Sequence, residues 1–134
     1  MIFTKIFLTL VGLLYAALAI WCSVAPQTTS GKVGFELKPG TGESEFLTIY
    51  GGLEMGLALV LLLPLVRNEF LFNSLLACLL IHACLVTFRT IGFFLYSDLS
   101  RMTYLLAAGE WIILLVSIAC LFVVKNGLPV APIE

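Results

Sequence analysis

The chain has 134 residues, of which 61% are hydrophobic and only 11% are charged, and its formal net charge is −1. A soluble domain carries about a quarter charged residues, so this composition excludes a soluble globular protein and indicates a lipid environment. The small negative charge also excludes a protein that binds nucleic acid through a basic surface.

Four apolar runs follow one another along the chain, and each is predicted to form a transmembrane helix. They cover residues 3–25, 45–64, 70–96 and 101–124, and each reaches roughly the 20 residues that cross a bilayer. The turns between the last three runs are so short that these helices should be antiparallel neighbours. The sequence therefore predicts a single all-α membrane domain over residues 1–134. Its fold is a four-helix transmembrane bundle with short loops and one longer outer loop at residues 27–44.

Residue types at the ends of the runs support these boundaries. Pro26 ends the first run, and it also disfavours cleavage of that run as a signal peptide, so we expect a retained helix. Ser44 and Glu45 form a suitable N-cap and acidic first turn for the second helix. Lys125, with Pro129 beyond it, is typical of the end of the fourth helix.

The positive charges alone do not decide the orientation in the membrane. If both termini lie on one side, each side carries three cations, which are Lys5, Arg67 and Lys125 against Lys32, Lys38 and Arg101. The signal-like amino end, with Lys5 near its start, favours cytoplasmic N- and C-termini. The loop at residues 27–44 is then expected outside the cell.

Four ionisable residues lie well inside the apolar runs: Glu54, His82, Arg89 and Glu110. A charge at the bilayer centre costs about 2.5–3.5 kcal/mol on insertion scales, so these groups should face the bundle interior and find partners. At about 1.5 Å per residue, Glu54 and Glu110 lie roughly 13 Å and Arg89 roughly 10 Å below the outer ends of their helices. Three charges on three neighbouring helices therefore fall at one level, with His82 about two turns deeper.

Helical periodicity places the groups of the third and fourth helices on polar stripes. His82 and Arg89 share one stripe of the third helix. Glu110 shares a stripe of the fourth helix with Ser117. Ser117 is expected near the level of His82, so the two stripes should run side by side.

The second helix combines a glycine step with an acid. Gly52 and Gly56 form a G-x-x-x-G step, which lets another helix approach closely, either within the chain or in a second copy. Glu54 points away from the glycines, on the side of Tyr50. The simplest arrangement packs the glycine face against one helix and turns Glu54 toward Arg89.

These placements predict a buried network of Glu54, Arg89 and Glu110, with His82 beneath it. Two acids against one guanidinium leave an excess negative charge, which is costly in a low dielectric. One carboxyl should therefore be protonated or stabilised by a neighbour. The neighbours available for this are His82, Tyr15, Tyr50 and water.

The network has three interpretations. It can specify which helix faces which, it can form a pocket for a polar ligand or a lipid headgroup, or it can move protons or ions. The sequence has no pattern typical of a metal site, a phosphate-binding loop or a nucleophile. We therefore predict no catalytic residues, no metal and no cofactor.

Several of these residues also resemble a known family. The segment Gly34-Phe35-Glu36-Leu37, the stretch Thr48-Ile49-Tyr50-Gly51-Gly52-Leu53-Glu54, Arg89 and Glu110 resemble the bacterial domain-of-unknown-function class 4345, which is similar in plan to the DoxX-like proteins. The resemblance covers nearly the whole chain, and the Tyr-Gly-Gly-x-Glu step is its most specific element. It implies a four-helix protein of the bacterial inner (cytoplasmic) membrane, and it implies no activity.

Three functions remain open at this point. The first is a non-catalytic accessory or oligomeric membrane subunit, in a homo-oligomer or a larger complex, because the loops are minimal and no catalytic set is present. The second is a binding protein for a lipid, a quinone or a similar amphiphile, held at Arg89 between Glu54 and Glu110. The third is a membrane isomerase that uses Glu54 or Glu110 as an acid–base group.

Overall fold

The computed structural model describes residues 1–127, and this part of the chain is 87% helical and contains no strand. The predicted all-α fold is confirmed. Four segments are long and apolar enough to cross a membrane, as a multi-pass membrane protein requires. They are Ile2–Val24, Thr41–Val66, Asn68–Leu95 and Arg101–Lys125.

The helices within these segments are numbered in chain order. They are α1 (Ile2–Val24), α2 (Pro26–Lys32), α3 (Thr41–Phe46), a π-helix (Leu47–Leu53), α4 (Glu54–Val66), a 3-10 turn (Asn68–Phe70), α5 (Leu71–Leu95) and α6 (Arg101–Gly127). Helix α6 starts at the predicted residue because the Ser100 hydroxyl accepts a hydrogen bond from the Thr103 N–H at 3.2 Å. Pro129, the predicted breaker beyond α6, lies outside the described residues.

The region predicted as an outer loop contains an additional helix. Pro26 separates α1 from α2 and occupies the first position of α2, where its missing N–H has no intrahelical partner to lose. Thr29 and Ser30 are buried, so α2 folds back onto the bundle. The sequence analysis does not anticipate this, because a seven-residue polar helix has no apolar periodicity of its own.

The N-terminus of the second membrane segment differs from the prediction. The N-cap is Gly40, with φ of 77°, and Ser44 and Glu45 lie inside the helix. The Glu43 carboxylate accepts hydrogen bonds from the Gly40 N–H at 3.0 Å and from the Gln27 side chain at 2.7 Å. The predicted cap at Ser44 and Glu45 is wrong because the helix begins one turn earlier, at Gly40, where the Glu43 side chain completes the cap and also ties α3 to α2.

Helix α1 packs most extensively against α4, and α5 packs against α6. Along the α5–α6 contact, Phe93 stacks on Tyr104, and the Ser117 hydroxyl donates a hydrogen bond to the Cys78 Sγ. The later residue of α5 therefore contacts the earlier residue of α6. The antiparallel order of the whole bundle stays a prediction.

The apolar core lies in the half of the bundle that contains the start of α1 and the ends of α4 and α6. Its buried members come from α1, α4, α5 and α6. They are Leu8, Val11, Leu61, Leu71, Leu75, Cys78, Cys120 and Val124. The intramembrane charges therefore lie toward the other half, near α2 and the π-helix.

The glycine step points away from the rest of the chain. A methyl group added at Gly52 or Gly56 would meet nothing within 4 Å, and both residues are exposed. Of the two alternatives left open for this face, packing within the chain does not occur among the described residues, and packing between copies stays a prediction. Close approach occurs instead at Gly51, where an added methyl carbon would lie 2.5 Å from the Ser23 Oγ.

The π-helix accounts for this difference. Its hydrogen bonds close over five residues instead of four, so every position from Leu47 onward is rotated relative to a continuous α-helix. The faces assigned from a 3.6-residue period no longer apply after this segment. Gly51 therefore reaches the helix contact that the period assigns to Gly52 and Gly56.

Candidate functional site

Arg89 and Glu110 form a two-point ion pair between α5 and α6. The Arg89 Nε lies 2.5 Å from the Glu110 Oε2, and the Nη2 lies 2.6 Å from the Oε1. The side chains are 27% and 13% exposed. A planar guanidinium that meets both carboxylate oxygens is the strongest form of this interaction, so each charge is satisfied by the other.

Glu54 stands apart from this pair, although the sequence predicts it as the third member of the network. Its Oε2 is buried and has no hydrogen-bond partner among the described residues. The side chain begins α4 directly after the π-helix, whose altered register turns it away from the direction that a regular helix would give. The structure therefore brings together two of the three predicted charges.

Glu54 lines a cavity of about 150 Å³ between α1, α2, the π-helix and α6. The wall is largely apolar, and a few polar side chains interrupt it. The lining residues are Leu18, Trp21, Cys22, Thr29, Lys32, Val33, Phe46, Tyr50, Glu54, Met102 and Leu106. A cavity of about this volume accommodates a benzene-sized ring.

Aromatic side chains form the part of the wall nearest the outer loop. Tyr50 stacks on Phe46 with ring centroids 4.5 Å apart, and Phe35 meets Tyr50 edge-on at 6.0 Å. The exposed Lys32 ammonium lies 5.8 Å from the centroid of the Trp21 ring, which is within cation–π range. The residues that line the cavity thus include one cation, Lys32, and one carboxyl group, Glu54.

Tyr50 lies four residues before Glu54 and lines the same cavity. Of the two acids Glu54 and Glu110, only Glu54 has a buried oxygen without a direct partner among the described residues.

His82 is a fully satisfied interior residue. Its Nδ1 lies 2.8 Å from the Cys78 carbonyl oxygen; because a carbonyl only accepts, this nitrogen carries the proton. The Nε2 of the neutral ring then accepts a hydrogen bond from the Tyr15 hydroxyl at 3.2 Å. His82 therefore joins α5 to α1, and it makes no hydrogen bond to the acids above it.

Ser117 and His82 both contact Cys78, whose Sγ lies 3.7 Å from the His82 Nδ1. Ser117 is 0% exposed, and its hydroxyl oxygen lies 2.8 Å from the Ile113 carbonyl oxygen and 3.4 Å from the Cys78 Sγ. The bond to Ile113 returns to its own helix, so Ser117 fills a buried position in the contact between α5 and α6.

The sequence analysis did not find the side of the cavity that α2 supplies. Thr29, Lys32 and Val33 belong to the segment predicted as loop, and Trp21 and Phe46 gave no signal beyond their apolar character. The one available signal was Pro26 followed by polar residues, which is compatible with a helix start. Among the described residues, no group of three His, Cys, Asp or Glu side chains could hold a metal ion.

Comparison of the chain with protein families, with curated proteins and with solved structures finds no match.

Proposed function

We propose that this chain is an amphiphile-binding protein of the bacterial cytoplasmic membrane, with both termini in the cytoplasm. The observations that carry the proposal are the buried Oε2 of Glu54, which has no partner in residues 1–127, and the ring-sized cavity that the Glu54 side chain helps to line. The resemblance to the DoxX-like membrane proteins, through Tyr50-Gly51-Gly52, Glu54, Arg89 and Glu110, supports the bacterial membrane assignment and stays part of the proposal.

The free energy of the buried carboxyl group argues for a ligand. Leaving a polar group unpaired in apolar surroundings costs about 1–3 kcal/mol by protein mutational data. Arg89 does not offset this cost because Glu110 already occupies its Nε and Nη2. A polar group on a bound ligand would form the hydrogen bond to Glu54 that the described protein residues do not form.

The cavity favours a ligand with a flat, polar head and an apolar tail. The Phe46–Tyr50 stack offers a face for a ring. Glu54 can accept a hydrogen bond from a hydroxyl group on that ring as a carboxylate, or donate one to a carbonyl group when it is protonated. The volume of about 150 Å³ holds only the head, so a tail would extend into the lipid. A quinone-like molecule or a lipid with a comparable head meets these requirements.

Fluorescence of Trp21 provides a direct test. The chain has two tryptophans, so Trp111→Phe leaves Trp21 on the cavity wall as the only reporter. We expect saturable quenching by a benzoquinone that carries one isoprenoid unit, and a Kd raised about tenfold by Glu54→Leu. Glu69→Gln, at an exposed acid, is the matched control and should leave the Kd unchanged. Quenching that does not saturate, or an equal Kd in Glu54→Leu, would contradict the proposal.

The outward glycine face supports a second candidate, a subunit that assembles with copies of itself. Gly52 and Gly56 are exposed on a segment that crosses the membrane, and small residues at this spacing let helices pack closely. Gly52→Leu with Gly56→Leu should then convert cross-linked dimers to monomers, whereas Gly92→Leu, which also has open space around it, should not. Equal cross-linking in all three proteins would remove this candidate.

The isomerase reading receives less support from the site. Glu110 is held by Arg89 at both carboxylate oxygens, so it is not free to exchange a proton with a substrate. Glu54 alone could act as an acid or base, and no second acid–base group is bonded to it among the described residues.

A further inference from the structure

A second site lies at the opposite end of the bundle from the Glu54 cavity. A surface groove of about 280 Å³ runs between α1 and α4 and is lined by Ile2, Lys5, Ile6, Thr9, Leu10 and Leu65. The apolar side chains are exposed: Ile2, Ile6 and Leu10 are 78%, 54% and 63% accessible. No other part of the described chain covers them.

The groove has the shape of an acyl-chain site. Ile2, Ile6 and Leu10 repeat at four-residue spacing along α1, so they form one stripe roughly 12 Å long that follows the helix axis. Leu65 supplies the facing wall from α4. The hydroxyl of Thr9 is bonded to the Lys5 carbonyl at 2.8 Å, which leaves the groove without a free polar group along its length.

A cation lies beside the first turn of this stripe, because Lys5 stands between Ile2 and Ile6 in the sequence. The Lys5 Nζ is held by the Asn68 side-chain oxygen at 3.0 Å and pairs with no carboxylate among the described residues. A neutral amide leaves the ammonium charge and two of its protons available. The position of the ammonium is therefore fixed without its charge being neutralised.

The surroundings of Lys5 carry a net positive charge. Arg67, next to Asn68, pairs with Glu69 at 3.3 Å, and the two side chains are 69% and 65% exposed. Two cations against one acid leave one positive charge at the head of an apolar groove. This combination fits a molecule with an anionic head and a straight hydrocarbon chain.

We infer that the groove binds an anionic phospholipid, with the phosphate on Lys5 and one acyl chain along Ile2, Ile6 and Leu10. A basic residue near the membrane surface favours an anionic lipid by about 1 kcal/mol, which corresponds to about a fivefold preference over a neutral lipid. The site is separate from the Glu54 cavity, since the two share no lining residue.

The test compares two lipids with identical chains, phosphatidylglycerol and phosphatidylcholine, added to the detergent-solubilised protein and counted by native mass spectrometry. The wild type should bind the first phosphatidylglycerol about fivefold more tightly than phosphatidylcholine. Lys5→Gln should abolish this preference, and Lys5→Arg should retain it. Lys38→Gln, at an exposed loop cation outside the groove, should behave as wild type.

A second variant checks the acyl-chain part of the site. Leu10→Gln should weaken both lipids equally, because it changes the groove and not the charge. Glu54→Leu should leave the lipid preference intact, so failure of the cavity proposal would not imply failure here. Equal binding of the two lipids to the wild type, an unchanged preference in Lys5→Gln, or dimers that form in place of bound lipid would each overturn the inference.

Discussion

Two ion pairs in the chain join the same kinds of side chain in opposite surroundings. Arg89 and Glu110 are 27% and 13% exposed, whereas Arg67 and Glu69 are 69% and 65% exposed. An exposed pair contributes about 0–1 kcal/mol, while loss of one partner from a desolvated pair leaves an uncompensated charge. The same substitution should therefore have very different effects at the two sites.

Glu110→Gln should lower the free energy of unfolding by about 3 kcal/mol, because it leaves the Arg89 guanidinium without a counter-charge in the membrane segment. Glu69→Gln should change it by less than about 0.5 kcal/mol. Titration with a denaturing detergent in mixed micelles measures both values.

The double variant Arg89→Leu with Glu110→Leu separates charge from packing. It should recover much of the lost stability, since no lone charge remains. If Glu110→Gln were as stable as Glu69→Gln, the pair would not contribute to holding α5 against α6.

At the scale of single residues, the sequence predicts that Arg89 and Glu110 lie close together, but it does not predict that Glu54 stands apart from them. Arg89 and Glu110 lie on regular helices, where depth and face follow from a rise of about 1.5 Å and a 3.6-residue period. Glu54 follows the π-helix Leu47–Leu53. The two glycines of that segment lower its α-helix propensity, but they do not by themselves indicate a π-helix. The separation of Glu54 from the ion pair could not be predicted, because the direction of its side chain depends on the π-helix before it.

At the scale of helices, Ser74 supplies the hydrogen-bond donor that Pro64 lacks. Pro64 lies inside α4 and has no N–H, so the Val60 carbonyl one turn earlier lacks its intrahelical donor. The hydroxyl of Ser74, which is 1% exposed, donates to this carbonyl at 2.7 Å. The bond satisfies the carbonyl and links α5 to α4.

Ser74→Ala should therefore destabilise the protein by about 1–3 kcal/mol, the cost of an unpaired buried polar group. In a Pro64→Ala background the carbonyl regains a backbone donor, so the same substitution should cost about 1 kcal/mol less. A double-mutant cycle in mixed micelles measures the difference. Equal costs in the two backgrounds would show that the serine does not compensate for the proline.

The helices that the sequence predicts well are those with uniform apolar composition. Helices α1, α5 and α6 begin and end within a few residues of the predicted runs, because apolar length is the main requirement of a bilayer. Helix α2 is polar and short, so it is held by tertiary contacts such as the burial of Thr29 and Ser30. Such tertiary contacts cannot be predicted from local composition.

For the whole molecule, polarity divides the bundle into two halves. Leu8, Leu61 and Leu75 belong to a tightly buried apolar core in the half that contains the start of α1. The other half contains the Arg89–Glu110 pair and the cavity with Glu54. The packed half supplies the apolar core, and the other half has the space that the proposed ligand would need.

The proposed function requires that a small molecule stays bound when the protein is extracted from its own membrane. Native mass spectrometry after gentle extraction measures this directly. We predict, apart from any phospholipid in the groove of Ile2, Ile6 and Leu10, a discrete adduct on the wild type and on Glu69→Gln, and its loss from folded Glu54→Leu. The same non-phospholipid adduct on Glu54→Leu, or a wild-type protein that carries no non-phospholipid adduct, would contradict the account.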